Sequence, residues 1–306
     1  HSPTGGVTIT GVAAEDEVLT ADTTTLADAD GLGTLNHQWS RDGSPIDGAT
    51  SENYTLTQAD VGAEITVEVS YTDGEGTSES VLSAASAAVT NTNNPVSGAV
   101  SITGTATQGQ VLTADASGLS DPDGVGAFSY VWKADGTPIS GATGSTYTLT
   151  QAEVGKTITV MASYTDGGGT VESMQSSATS AVANVNDDPT GTVTITGTAR
   201  QGETVTANVS ALADADGLGT LSYQWRADGT DISGASSNTY TLTQAEVGKV
   251  ITVAVSYTDA QDTAESVLST ATAAVENVND NPTGAVTITG TPTQGQTLTA
   301  NNTLAD

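Results

Sequence analysis

The sequence contains no cysteine, which excludes disulfide bonds and thiolate metal sites. It contains only one Phe and three Trp, so any hydrophobic core must be built mainly from Val, Ile and Leu around a few large side chains. No stretch approaches the roughly 18 consecutive apolar residues that a membrane-spanning helix requires. Direct insertion into a membrane is therefore not expected.

Positive charge is also scarce, since six Lys and Arg stand against 36 Asp and Glu and the formal net charge is -30. A surface so negative repels nucleic acid and anionic membranes, and neither is expected as a partner. Two interpretations of the acidity stay open. The acids attract divalent cations or suit a salty medium, or they simply keep a secreted protein soluble.

A repeat of 93 residues organises the chain. The residues Leu26–Gly33, Leu119–Gly126 and Leu212–Gly219 share a pattern of two Asp separated by one residue and followed by Gly, and Trp39, Trp132 and Trp225 keep the same step. The repeat predicts domains at 1–94, 95–188 and 189–281, with residues 282–306 forming the first two strands of a fourth copy. The first residue is not Met, and we expect the chain to be a segment of something longer.

Short alternating segments predict an all-β fold. In the third copy, Val193–Thr196 and Thr204–Ala207 alternate apolar and polar residues, Trp225 falls on the third predicted strand, and Glu265–Val275 is the predicted last strand. Only Gln244–Gly248 could form a helical corner. Seven short strands with a buried Trp predict tandem immunoglobulin-like β-sandwich domains. The short linkers that end in Pro predict domains arranged end to end as a rod, at about 40 Å per domain.

Two functional alternatives for the β residues remain. A row of Thr such as Thr8 and Thr10 could form an ice-binding or receptor face, although the β propensity of Thr explains it more simply. One Trp per domain could stack on sugars, although its position on the third strand favours a role in the core.

The acidic loops are the strongest candidate site. In an immunoglobulin topology, the loops after the second and sixth strands lie at the amino-terminal end of a domain, where the preceding linker arrives. Carboxylate and amide oxygens from three segments would then meet, which suits the six to eight oxygen ligands of calcium. His1 and His37 are not repeated, which disfavours zinc and copper. The candidate metal ligands are Asp28, Asp30, Asp73, Asn93, Asn94, Asp121, Asp123, Asp166, Asn186, Asp187, Asp188, Asp214, Asp216, Asp259, Asn279 and Asp280.

Each acidic element also has a purely structural interpretation, because Asp and Asn stabilise turns with their own side chains. Asp42, Asp135 and Asp228 fit that interpretation best, since they lie in Asp-Gly hairpins. The corner acids Asp60, Glu153 and Glu246 could donate to the next junction. The first junction lacks the Asp pair of the second linker and is expected to bind calcium more weakly or with fewer ions. The site of the first domain is expected to be incomplete.

Two resemblances follow from these motifs. The linker Asn-Val-Asn-Asp-Asp-Pro at 184–189 and the Asp-Ala-Asp at 214–216 resemble the interdomain calcium motifs of cadherins. The segments Trp225–Ile232 and Tyr240–Lys249 resemble the immunoglobulin-like extender repeats of giant type I secreted (RTX) adhesins, and this likeness covers nearly the whole chain. The resemblance implies calcium-stiffened spacer domains that project an adhesive region from the cell.

The sequence favours a structural protein over an enzyme, because His37 is the only internal His and no Cys is available to build a nucleophilic site. The predicted function is an extender segment of a bacterial cell-surface adhesin, extracellular and monomeric, with calcium and the neighbouring repeats as partners. A ligand-binding module for glycan, ice or host protein, and homophilic association, are the alternatives.

Overall fold

The protein is described by a computed structural model for residues 1–305, in two compact units, one ending at Ala183 and the other beginning at Asn184. Asp306, expected to be the first acid of a fourth acidic loop, lies outside the described residues. The first unit holds the first two repeats and the second holds the third repeat and the partial fourth. In this part of the chain, no helix is long and apolar enough to cross a membrane.

Each complete repeat contains seven β-strands. Those of the first are β1 (Thr8–Thr10), β2 (Val18–Asp22), β3 (Asn36–Arg41), β4 (Ser44–Pro45), β5 (Asn53–Thr55), β6 (Ile65–Thr72) and β7 (Ser78–Leu82). Those of the second are β8 (Ser101–Thr103), β9 (Val111–Asp115), β10 (Ser129–Ala134), β11 (Thr137–Pro138), β12 (Thr146–Thr148), β13 (Ile158–Thr165) and β14 (Val171–Gln175). Those of the third are β15 (Thr194–Thr196), β16 (Thr204–Asn208), β17 (Ser222–Ala227), β18 (Thr230–Asp231), β19 (Thr239–Thr241), β20 (Ile251–Thr258) and β21 (Ala264–Leu268).

The strands form two antiparallel sheets per repeat, with the same order in all three. In the first repeat the orders are β1-β2-β5 and β4-β3-β6-β7. The long sixth strand, Ile65–Thr72, alternates between buried and more exposed residues, because one of its faces covers the core. This arrangement is the predicted immunoglobulin-like sandwich, and the fold prediction is confirmed.

One tryptophan fills the centre of each sandwich. Trp39, Trp132 and Trp225 are fully buried, each in a separate hydrophobic cluster of its own repeat. The ring of Trp39 stacks on Tyr54 with centroids 5.8 Å apart, and its indole N–H donates to the carbonyl oxygen of Ser51 at 2.8 Å. A ring buried in this way is part of the core and cannot stack on a sugar.

The predicted corners are short 3-10 helices, at Gln58–Asp60, Gln151–Glu153 and Gln244–Glu246. Their last residue is a buried acid that caps the turn. Glu246 Oε2, for example, accepts from the backbone N–H of Thr243 at 2.9 Å and from its hydroxyl at 2.7 Å. In the first repeat, Asp60 also pairs with Arg41 at 2.6 Å. These contacts place the corner acids within their own domains.

The Asp-Gly hairpins have the structural role that the sequence predicts. Asp228 and Gly229 adopt φ angles of 48° and 79°, and Asp228 Oδ1 accepts from the backbone N–H of Val250 at 3.0 Å. Two consecutive positive φ values are characteristic of a tight hairpin turn.

The last strand is shorter than predicted. It ends at Leu268 rather than Val275, because side-chain hydroxyls begin to replace the backbone ladder. The hydroxyl groups of Ser269 and Thr272 accept from the backbone N–H groups of Val253 and Ile251, at 2.9 and 3.0 Å. Val275 then returns to form a single parallel bridge with Val247.

The partial fourth repeat is a two-stranded sheet of β22 (Val286–Thr289) and β23 (Thr299–Asn302). Val286 and Ile288 are 58% and 69% exposed. Val193, the residue of the third repeat that is equivalent to Val286, is buried beneath the rest of its sandwich. Two strands alone bury little apolar surface.

Replacing Trp132 by Ala is expected to destabilise the second repeat by about 3–5 kcal/mol, because it removes the largest core side chain and leaves a cavity. Differential scanning calorimetry should show one unfolding transition moving to lower temperature. Val171→Ala, at a residue 72% exposed on the same repeat, is the control and should leave the transition in place. Equal effects of both substitutions would contradict this account of the core.

Candidate interdomain cation site

The two acidic loops of each repeat are held together by backbone contacts. The N–H of Gly167, in the loop after β13, donates to the carbonyl oxygen of Asp123, in the loop after β9, at 2.9 Å. The equivalent contact in the third repeat joins Ala260 to Asp216 at 3.2 Å. Close approach is required here, because a Cβ at Gly126 would lie 2.2 Å from the carbonyl oxygen of Thr165.

The preceding linker reaches the same end of the repeat. The backbone N–H of Asn94 donates to Asp123 Oδ2 at 2.7 Å, and that of Asp187 donates to Asp216 Oδ2 at the same distance. A single antiparallel bridge between Ser97 and Ser120 then aligns the incoming chain. The structure therefore brings together the three segments that the sequence predicts to converge. We call this end, with its two loops and incoming linker, the head of the repeat.

The first Asp of each pair has partners on both oxygens. Asp214 Oδ1 accepts from the backbone N–H of Asp216 at 2.8 Å, and Oδ2 accepts from the hydroxyl of Tyr257 at 2.6 Å. The same two contacts are made by Asp28 with Asp30 and Tyr71, and by Asp121 with Asp123 and Tyr164. This first carboxylate therefore anchors its loop to the sixth strand.

The tyrosine of this anchor is harder to ionise than a free tyrosine. Burial of the phenol, followed by its hydrogen bond to Asp28, raises the pKa of Tyr71 to about 12. The same causes raise the pKa of Tyr164 and Tyr257. A neutral phenol is needed to donate to the carboxylate, since a phenolate would repel it.

Four other acids of the heads each have one oxygen without a partner. Asp259 Oδ1 accepts from the backbone N–H groups of Gln261 and Thr263, each at 2.8 Å, but Oδ2 is buried and receives no hydrogen bond. The same is true of Asp73 Oδ2, Asp166 Oδ2 and, on the other loop, Asp123 Oδ1. These residues are only 5–6% exposed. A buried carboxylate oxygen without a donor is costly, and one at every head requires an explanation.

The linker contributes another such oxygen. Asn91 Oδ1 and its equivalent Asn184 Oδ1 are buried and without a hydrogen bond. The amide of Asn91 lies over Gly168, beside Asp166. A Cβ added at Gly168 would be only 2.3 Å from Asn91 Nδ2 and 3.4 Å from Asp166 Oδ1, so this close packing requires Gly. Neither Asn was among the predicted ligands, although both keep the repeat spacing.

Positive side chains do not compensate for these acids. The side-chain salt bridges of residues 1–305 join Arg41 to Asp60 and Arg226 to Asp231, and neither lies at a head.

The remaining candidates make other contacts. Asn93 and Asn186 donate to Glu172 and Glu265, at 3.0 and 2.9 Å. Asp188 is exposed. In the third linker, Asn279 donates to the backbone oxygen of Asp280, and Asp280 Oδ2 accepts from Gln201 at 2.9 Å.

The donor chemistry fits a hard divalent cation. The unpartnered atoms are carboxylate and amide oxygens, the ligand type that calcium prefers. In residues 1–305, no three Asp, Glu or His side chains converge closely enough to form a metal cluster by themselves. A cation at a head would therefore need the Asn oxygen, backbone carbonyls or water in addition to Asp123 and Asp166, or to Asp216 and Asp259.

The fold and its heads define the chain as an all-β protein of tandem immunoglobulin-like domains. No known family model matches it. It is 30% identical over 254 residues to the highly immunogenic outer capsid protein of Enterobacteria phage T4, a match that covers 79% of this chain and 64% of that protein. The match thus spans slightly less than two thirds of the relative.

Solved structures with similar folds are tandem-domain proteins. A tetra-tandem repeat from the extending region of a large adhesion protein is 16% identical, with 94% of this chain and 77% of that one covered and a TM-score of 0.29. A Ca²⁺-stabilised adhesin with which an Antarctic bacterium binds ice is 12% identical, with the same coverage and a TM-score of 0.31. The three N-terminal domains of the bacteriophage RB49 outer capsid protein are 16% identical, covering 90% and 99%, with a TM-score of 0.23. At these values the similarities carry no conclusion about function.

The difference in 295 nm absorbance between the wild type and Tyr71→Phe should titrate with a midpoint of about pH 12. The stabilisation from the neutral phenol is complete below the ordinary tyrosine pKa of about 10 and is lost as the pH rises through the folded value. Asp28→Asn should lower the midpoint, because it removes the carboxylate that disfavours the phenolate. Asp47→Asn, in an exposed loop, should not change it, and a midpoint near 10 in the wild type would refute the anchor.

Proposed function

We propose that this chain is an extender segment of a bacterial cell-surface adhesin, in which calcium bound at the heads stiffens the connection between successive repeats. The observation that carries the proposal is the recurrence of buried, unpartnered oxygens, such as Asp166 Oδ2 and Asp259 Oδ2, at the point where a linker enters a repeat. The resemblance of the repeats to RTX extender domains supports the same function.

Calcium would act on the linker in two ways. It would neutralise the carboxylates of the head, which otherwise repel one another in a chain of net charge -30. It would also restrict the conformations of the linker. The ion would join Asn91, in the linker, to Asp123 in the loop after β9 and to Asp166 in the loop after β13. A short linker held at both ends is a stiff connection, as a spacer requires.

The proposed role is mechanical and not catalytic. Burial, followed by the hydrogen bond to Asp, raises the pKa of the tyrosines, so they stay protonated at neutral pH and do not supply a phenolate base or nucleophile. The three repeats share the Asp–Tyr anchor and a buried acid with an unpartnered oxygen, and this recurrence suits a spacer better than a recognition surface.

Removing calcium with EDTA is expected to shorten or broaden the particle in small-angle X-ray scattering. Three stiffly joined domains should span about 120 Å, since each contributes about 40 Å of strand and linker. The double variant Asp166→Asn/Asp259→Asn should behave in calcium as the wild type does in EDTA, because each substitution removes a buried ligand charge.

Asp262→Asn is the matched control, because Asp262 is exposed in the same loop as Asp259 and its φ of 67° is one that Asn accepts readily. It should keep the dimensions of the wild type with calcium. An unchanged maximum dimension of the wild type after EDTA treatment would sink the proposal.

A second candidate is a decoration protein on the outside of a viral capsid, which is favoured by the 30% identity to the phage T4 protein. Immunogold labelling with an antibody against this chain separates the two functions. Labelling of the bacterial surface is expected for the extender, whereas labelling confined to phage particles would favour the capsid role.

A further inference from the structure

An acid and an amide join the first turn of a repeat to the linker that leaves it. In the first repeat, Asn94 Nδ2 donates to Glu15 Oε1 at 2.9 Å. In the third, Gln201 Nε2 donates to Asp280 Oδ2, also at 2.9 Å. Both pairs are 79 residues apart, and they occupy equivalent positions of the repeat.

The surrounding contacts are the same, which shows that the two pairs are equivalent in geometry. The backbone N–H of Thr92 donates to Glu15 Oε2 at 3.4 Å, and that of Val278, the equivalent residue, donates to Gln201 Oε1 at 3.1 Å. The two pairs differ only in which of the two positions carries the acid and which carries the amide. The acid is on the turn in the first pair and on the linker in the later one, so the hydrogen bond runs in the opposite direction.

The exchange keeps one negative charge in each pair. Two acids would repel each other, and two amides would lose the stronger charge-assisted hydrogen bond. The equivalent positions of the middle repeat carry Gln108 and Asp187, again one amide and one acid. The charge that Asp187 and Asp280 contribute on the linker is thus supplied in the first repeat by Glu15.

Glu15 is connected to the head of the second repeat through a single residue. Asn94 binds Glu15 with its side chain and Asp123 Oδ2 with its backbone N–H. Glu15 is 4% exposed and Asp123 and Asp166 are each 6% exposed, and Asp123 Oδ1 and Asp166 Oδ2 have no hydrogen-bond partner. Three buried carboxylates therefore belong to this junction, and none is in a salt bridge among residues 1–305.

We propose that Glu15 is the positioning residue of the first junction: it holds Asn94 in register against Asp123 and replaces the charge of the linker Asp, so that this junction binds a divalent cation as tightly as the second. The cation part rests on the proposed function above. On the linker acids alone, the first junction is expected to bind calcium more weakly than the second. Glu15 supplies the missing charge from the preceding repeat.

Hydrogen exchange of the full chain, measured by mass spectrometry over a calcium titration, tests this at each linker separately. Calcium should protect residues 91–97 and 184–190 at similar concentrations in the wild type. Glu15→Gln should raise the calcium concentration needed at 91–97 by about tenfold and leave 184–190 unchanged, because it removes a negative charge near the site and weakens the hydrogen bond that positions Asn94.

Two variants complete the test. Glu15→Gln/Asn94→Asp recreates the pattern of the later repeats and should restore protection at 91–97, which also covers the case in which the single variant is poorly folded. Glu17→Gln removes an exposed acid from the same turn and should change nothing. Wild-type protection in Glu15→Gln, or no rescue in the double variant, would overturn the inference. No calcium effect at either linker of the wild type would instead overturn the proposed function.

Discussion

The cost of burying carboxylate oxygens is the constraint on which the heads of this protein depend. Four acids, Asp73, Asp123, Asp166 and Asp259, are almost completely buried, and each has one oxygen without a donor. Such oxygens are tolerated where a cation is close, because Coulomb attraction in a low-dielectric site offsets the loss of hydration. The close contact between loops, the small Gly residues beneath them and the short linker above them all keep these oxygens in one place.

The head divides its acids between two tasks. The first Asp of each pair is satisfied by a backbone N–H and a tyrosine hydroxyl, as Asp121 is by Asp123 and Tyr164, and it keeps the loop rigid. The acid of the other loop, and in the second repeat also Asp123, keeps one oxygen available. A rigid anchor beside available oxygens is useful for cation binding, because the ligands do not have to be ordered when the ion arrives. At the first junction, the side chain of Asn94 adds a second point of attachment, to Glu15 of the preceding repeat.

The sequence predicts the repeat, the sandwich fold and the convergence of the acidic loops, but not the roles of Glu15 and Asn91. The spacing of Trp39, Trp132 and Trp225 predicts the repeat and the sandwich, because a fully buried indole on the third strand suits only a few β folds. The convergence of the loops with the linker follows from the same topology. Glu15 was missed because its equivalents are Gln108 and Gln201, so the acid does not repeat. Asn91 was missed because an Asn in a linker is also an ordinary turn residue.

The sequence by itself determined the all-β class, the three copies and the acidic loops, because strand alternation and turn residues are local and recur every 93 residues. Only the tertiary structure decided which oxygens of those loops are free. The position of the Tyr257 hydroxyl is one example: it donates to Asp214 and not to Asp259, whose Oδ2 is left without a donor. The partner of a carboxylate can lie 43 residues away on another strand, and the folded chain alone brings the two together.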